Sequence, residues 1–405
     1  MKKKALIALS TTTALSAIAA EFKQEPPEKY WDVPGLLTEI PKYKKSPYPD
    51  SDAKGLQAVL IRGYKRRPGQ KNINSSSPDP LSTRTRGDFF AYIGFPDSPA
   101  PKGGFPGIVL IHGGGGTAFS RYTRRWIRKG YAVIALDWYN SRPTYKDAAQ
   151  SKIKENVPLP GGKIQDHVAN VANMILCHSL LRSLPNVNPD KTAFVGLSWG
   201  SWYGAMVASI DNRFQGGVEI YCGDVKRDKD AFKSETLRFT NGRFHHAIKI
   251  PLYWIVSTND QNMTLSTIND AFKECPTLYN KTIVNNLEHS HIGFDFDACF
   301  RMASHFTRKQ PSLPKLGKIT QKGNVVSAKI LEQGKGITYA VLNYTDTDKE
   351  VRYHERKWKS VPAEINGDTI SATVPAKAHH YYLSAYEKDS KFHDLCGSTE
   401  TIVIE

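Results

Sequence analysis

The chain has 405 residues, with 30 Gly and 24 Pro, and is 40% hydrophobic and 23% charged. That composition excludes collagen-like, low-complexity and largely disordered chains, and the length suits two or three domains with full cores. Five Cys are too few for a disulfide scaffold. Beyond the N-terminus no run approaches the ~18 apolar residues of a membrane span, so stable membrane insertion is not expected.

Residues 1–20 read as a cleaved secretory signal. Lys2, Lys3 and Lys4 form a basic start, Ala5 to Ala17 a small apolar core, and Ala17-Ile18-Ala19 a small-x-small cleavage pattern. The expected location is therefore outside the cytoplasm, periplasmic or extracellular. Loss of the three signal lysines lowers the formal charge from +16 to +13. A basic surface enriches anionic partners. For an exported chain polyanionic glycan is the expectation, not nucleic acid. Cys177, Cys222, Cys275, Cys299 and Cys396 would meet an oxidising compartment, where one disulfide could form without its pairing being readable from spacing.

Residues 21–55 are rich in Pro, Lys and Tyr without periodicity and read as a wrapping lead-in. Residues 56–309 then alternate strands with helices. Strand-like runs are Leu56–Ile61, Asp88–Phe95, Gly107–Ile111, Tyr131–Asp137, Thr192–Gly196, Val218–Tyr221, Leu252–Ser257 and Thr282–Leu287. Between them lie predicted helices at Thr117–Lys129, Lys163–Leu184, Trp199–Ser209 and, at the end, Asp297–Phe306. The second of these is amphipathic on the spacing of Ile164, Val168, Val171 and Ile175. This alternation implies βαβ units and a mostly parallel sheet buried on both faces. Pro311-Ser312-Leu313-Pro314 is a linker, and 315–405 carries short strand candidates only (Val325–Ile330, Ile337–Asn343, Thr369–Val374, Tyr381–Ala385), as in a small β-sandwich. Trp358, Tyr381 and Tyr382 are expected in its core more than on a sugar-stacking surface.

Chemistry centres on Gly196-Leu197-Ser198-Trp199-Gly200, set between a strand and a helix. Gly-x-Ser-x-Gly at such a junction is a nucleophile elbow, in which a sharp turn exposes the serine and glycines prevent collision. Upstream, His112-Gly113-Gly114-Gly115-Gly116 ends an early strand. Backbone N–H groups near Gly114 and Gly115, with that of Trp199, can form an oxyanion hole. His112 is expected to brace that loop. Asp260, after Leu252–Ser257, is the expected acid, with Asp224 as its rival. For the base, Glu288-His289-Ser290-His291 offers two histidines. His291 lies further out on the loop and is preferred, with His289 as the alternate. No cofactor is expected, and no metal, since His-x-His lacks companions at zinc-site spacing.

His112–Phe119 with Lys129–Asp137, Gly196–Ser201, Asp211-Asn212-Arg213-Phe214 and Thr258-Asn259-Asp260 resemble bacterial secreted α/β-hydrolases of the acetylxylan-esterase-like and dienelactone-hydrolase-like group. The resemblance spans roughly residues 95–310. It implies an α/β-hydrolase fold with a small C-terminal β-sandwich domain, and Ser198, Asp260 and His291 as nucleophile, acid and base. Ser201 departs from a second glycine common in relatives, and Glu-His-Ser-His from a glycine-rich histidine loop. The expected activity is a serine carboxylic-ester hydrolase removing acetyl or related groups from plant or algal polysaccharide. Its substrate would be an ester-bearing small molecule or polysaccharide, anionic glycans included. The alternatives are a prolyl-oligopeptidase-like serine peptidase and a non-catalytic glycan-binding protein on a hydrolase fold.

Overall fold

The computed structural model describes residues 24–47, 50–64, 88–138, 167–223 and 241–403. The segment read as a secretory signal, the first residues of the predicted helix from Lys163, and Asp224 lie outside them.

Among the described residues the first sheet has nine strands: β1 (Tyr43–Lys45), β2 (Gln57–Arg62), β3 (Asp88–Gly94), β4 (Phe105–Ile111), β5 (Ala132–Leu136), β6 (Val187–Leu197), β7 (Gly217–Ile220), β8 (Leu252–Ser257) and β9 (Leu278–Val284), in the order β1-β2-β3-β5-β4-β6-β7-β8-β9. β1, β2, β3 and β5 pair antiparallel, and every pair from β5 to β9 is parallel. All residues of β4, β5, β7 and β8 are buried, as continuous apolar strands covered on both faces must be. Flanking helices are α1 (Val33–Thr38), α2 (Ser120–Arg128), α3 (His167–Ser183), α4 (Trp199–Ile210), α5 (Leu265–Glu274) and α6 (Asp297–Arg308).

α3 is buried around nearly its whole circumference rather than on one stripe. The lead-in explains this. Trp31, 1% exposed, and Leu36 pack into the same core, and the Trp31 indole donates to the Val168 carbonyl at 2.9 Å. The chain before β2 therefore covers the face that an isolated amphipathic helix would leave to water, besides adding β1 to the sheet.

Residues 315–403 form a second, antiparallel sheet: β10 (Lys315–Leu316), β11 (Thr320–Lys322), β12 (Val325–Glu332), β13 (Tyr339–Thr345), β14 (Lys359–Asn366), β15 (Thr369–Thr373), β16 (His380–Tyr386), β17 (Cys396–Ser398) and β18 (Ile402–Val403). It curls around Val326, Leu342, Ile370, Tyr381 and Leu383. Its main path is β10-β12-β15-β14-β13-β16-β17, with β11 on β12 and β18 on β16. β16 is buried at every position, because alternate residues face different cores. Tyr381 and Leu383 point into this domain, while Tyr382 joins Trp358 in the core of the first. All three aromatics singled out in the sequence are thus buried, two of them between the domains.

All five cysteines are free and buried. No helix among the described residues is long and apolar enough to cross a membrane.

Candidate active site

β6 runs directly into α4 through Ser198, which has φ 55° and ψ −117°. A non-glycine residue there is strained, and it persists only where its surroundings over-determine it. They do so here. The Ser198 N–H donates to the Ile220 carbonyl at 2.8 Å, and its own carbonyl accepts from the N–H of Ser201 and of Trp202. The two motif glycines abut each other. A Cβ on Gly196 would lie 2.4 Å from the Gly200 carbonyl oxygen, and one on Gly200 would lie 2.0 Å from that of Ile111. Only glycine permits that approach of helix to strand. Ser201 also tightens the turn, its hydroxyl lying 2.6 Å from the Ile220 carbonyl and 3.0 Å from that of Gly196.

The glycine loop lies against the elbow. A Cβ on Gly114 would meet the Trp199 indole at 2.7 Å, and one on Gly116 would meet His291 Nε2 at 2.7 Å and His112 Nδ1 at 2.8 Å. Gly115 has φ +68° and open space where a side chain would be. His112 braces the loop as expected, with Nδ1 2.7 Å from the Gly113 carbonyl and its ring stacked on Trp138. Trp199 is the first residue of α4, where the backbone N–H has no acceptor within the helix.

Asp260 follows β8 and is 2% exposed. One carboxylate oxygen accepts from the N–H of Asn262 at 2.7 Å and of Met263 at 3.0 Å. The other lies 2.8 Å from His289 Nδ1. It therefore caps the following turn and holds an imidazole together.

That imidazole belongs to His289, which corrects the expectation that Asp260 holds His291. The loop after β9 crosses the ends of the preceding strands in turn. The Leu287 carbonyl accepts from Ser257 at the end of β8, and the Glu288 carbonyl accepts from the Tyr221 hydroxyl, just past β7. His289 then faces Asp260, with its ring 4.6 Å from that of Tyr221. By His291, where a short 3₁₀ turn begins (His291–Asp295), the chain has passed on to the glycine loop after β4, and this ring packs on Phe119 at 4.9 Å. His291 overshoots the acid. Burial is the largest cause lowering its pKa, with His112 and His289 adding to it.

The structure thus places Ser198 and Trp199 after β6 and Gly114 and Gly115 after the neighbouring β4, with Asp260 and His289 on the loops after β8 and β9. A second His–Asp pair, His178 with Asp211 at 2.7 Å, is fully buried, its other nitrogen bonded to Thr192 and its ring covered by Phe214. No substrate can reach it. Among the described residues no group of three or more His, Cys, Asp or Glu could hold a metal. Spacing did not point to Tyr221, and Ser201 stood out in the sequence only where relatives carry a glycine. Tyr221 has φ +53° at a strand end, which spacing does not reveal.

Residues 89–289 match the model of the dienelactone hydrolase family. Among solved structures, similarity extends to an acetyl xylan esterase from Paenibacillus sp. R4 (13% identity, 72% of this chain and 99% of that one, TM-score 0.47). It also extends to acetyl xylan esterase 1 from Thermoanaerobacterium sp. JW/SL YS485 (15%, 73% and 98%, TM-score 0.47). A third is an acylaminoacyl peptidase from Pyrococcus horikoshii (12%, 66% and 49%, TM-score 0.42). No curated protein matches the sequence.

Proposed function

We propose that this chain, whose residues 89–289 match the dienelactone hydrolase family model, is a serine carboxylic-ester hydrolase using Ser198, His289 and Asp260. The observation that carries the reading is the strained, over-determined turn at Ser198, together with a buried carboxylate that orients one imidazole on the loops after the neighbouring strands. With Nδ1–H donated to Asp260, His289 presents Nε2 as a base. Nε2 takes the Ser198 proton as its oxygen attacks the ester carbonyl, while backbone N–H groups at Trp199 and the Gly114–Gly115 turn receive the oxyanion. The alcohol leaves with the proton from Nε2, and water activated by the same imidazole cleaves the acyl-enzyme.

Acetyl or related esters on polysaccharide are the proposed substrates, and export the proposed setting. Support comes from the signal-like N-terminus and the formal charge of +13 that remains without its three lysines. Ser198→Ala should lower hydrolysis of 4-nitrophenyl acetate by about 10³-fold or more, abolish fluorophosphonate labelling and leave Tm nearly unchanged. Retained turnover would move the chemistry elsewhere. No acetate released from a panel of acetylated glycans would remove the polysaccharide assignment, and cleavage of peptide amides in preference to esters would replace it.

A further inference from the structure

The loops that carry Asp260 and His289 are tied to the C-terminal domain through two asparagines. Asn259, immediately before Asp260, donates through its side-chain amide to the carbonyls of His354 at 3.0 Å and Arg356 at 2.8 Å. The same side chain accepts from the Thr258 hydroxyl at 2.6 Å. Both donors of its amide are thereby taken by the other domain.

The second loop is held in the same way. Asn286 exchanges two hydrogen bonds with the backbone of Trp358, donating to its carbonyl and accepting from its N–H, each at 3.1 Å. Asn286 sits at φ +52°, so the chain leaving β9 turns at the residue the C-terminal domain grips. Its own N–H donates to Thr258 at 2.8 Å, which links the two loops. Behind it, Asn285 joins Asn343 at 2.6 Å and accepts from the Tyr382 hydroxyl at 2.6 Å. Among the described residues β9 is the last strand of its sheet, and Ser398 and Cys396 of β17 bond to Ile283 and Thr282 within it.

The side-chain hydrogen bonds of Asn259 and Asn286 go to Thr258 and to the C-terminal domain and not to the Asp260 carboxylate or the His289 ring, so each is a positioning residue. We propose that the C-terminal β domain is a working part of the active site: through Asn259 and Asn286 it fixes the two loops that bring Asp260 and His289 together. This rests on the reading of Ser198, Asp260 and His289 as a hydrolytic triad. A triad misplaced by about 1 Å loses up to about 100-fold in rate, whereas the binding of a small ester, which spans neither loop, is little altered.

The test uses the full chain. Asn259→Ala, and Asn286→Gly (which keeps the left-handed backbone accessible while removing the amide), should each lower kcat for 4-nitrophenyl acetate about 10- to 100-fold with KM within about two-fold. Fluorophosphonate should still label both to completion, at a correspondingly lower rate. In proton NMR the downfield His289 Nδ1–H resonance should broaden or vanish in both. Val326→Ala, which weakens the C-terminal core without touching either loop, should lower Tm yet leave kcat and that resonance unchanged while folded. If either asparagine variant fails to fold, Asn259→Ser takes its place and should show the same kcat loss and broadened resonance. Unchanged kcat and resonance in folded asparagine variants, or losses that only track the unfolded fraction, would overturn the inference. A wild-type protein that fluorophosphonate does not label would instead overturn the triad itself.

Discussion

At the scale of single residues, the competition between His289 and His291 is decided by where the loop is when each side chain is presented. Tyr221 fixes the Glu288 carbonyl, and the next residue faces Asp260. Two residues later the chain is above Gly113 and Gly116. His289→Ala should therefore cost about 10³-fold or more in kcat, and His291→Ala about 10-fold, through a looser glycine loop. Burial holds the His291 pKa below that of an ordinary imidazole, so His291 stays neutral where exposed histidines protonate. The acidic limb of the kcat/KM profile should persist in His291→Ala, and its disappearance would give the base role to His291.

At the scale of elements, the elbow depends on close approach. Gly196, Gly200 and Ser201 let α4 start against the ends of β4 and β6. Further along α4, Gly204 makes room for Glu219 of β7, whose Oε1 would lie 3.1 Å from a Cβ there. Burial raises the Glu219 pKa well above its ordinary value, and the neighbouring Trp254 indole offsets this only in part. The folded chain thus keeps this proton while the unfolded chain loses it above the ordinary carboxyl range. Between those two pKa values the native state binds more protons, so stability falls as pH rises, by up to about 1.4 kcal/mol per pH unit. Glu219→Gln, which mimics the protonated form, should raise Tm at pH 7–8 and make little difference near pH 4. A variant less stable at pH 8 would mean that Glu219 is ionised and paired. Elements with strong apolar runs, such as β4 and β8, were legible because burial on both faces leaves a continuous pattern. β14 was not, since its residues are mostly exposed; neither was α5.

For the whole molecule, the two sheets share more than a linker. β16 lies between both cores, and Tyr382 and Trp358 pack into the larger one. A domain whose strand is buried on its far side by a neighbour has no independent surface to expose. Scanning calorimetry should therefore show a single cooperative transition for the full chain; two separated transitions would mean that the interface contributes little.

The amino-acid sequence by itself determined the strand–helix alternation, the elbow at Ser198, the glycine loop and the β-rich tail. These follow from local period, from glycines that only a tight turn requires, and from turn residues between short strands. Tertiary structure decided which histidine meets Asp260, why α3 is buried on nearly every side, and what holds the loops. Each depends on residues far apart in the chain meeting at a strand end, and local pattern carries no record of that distance.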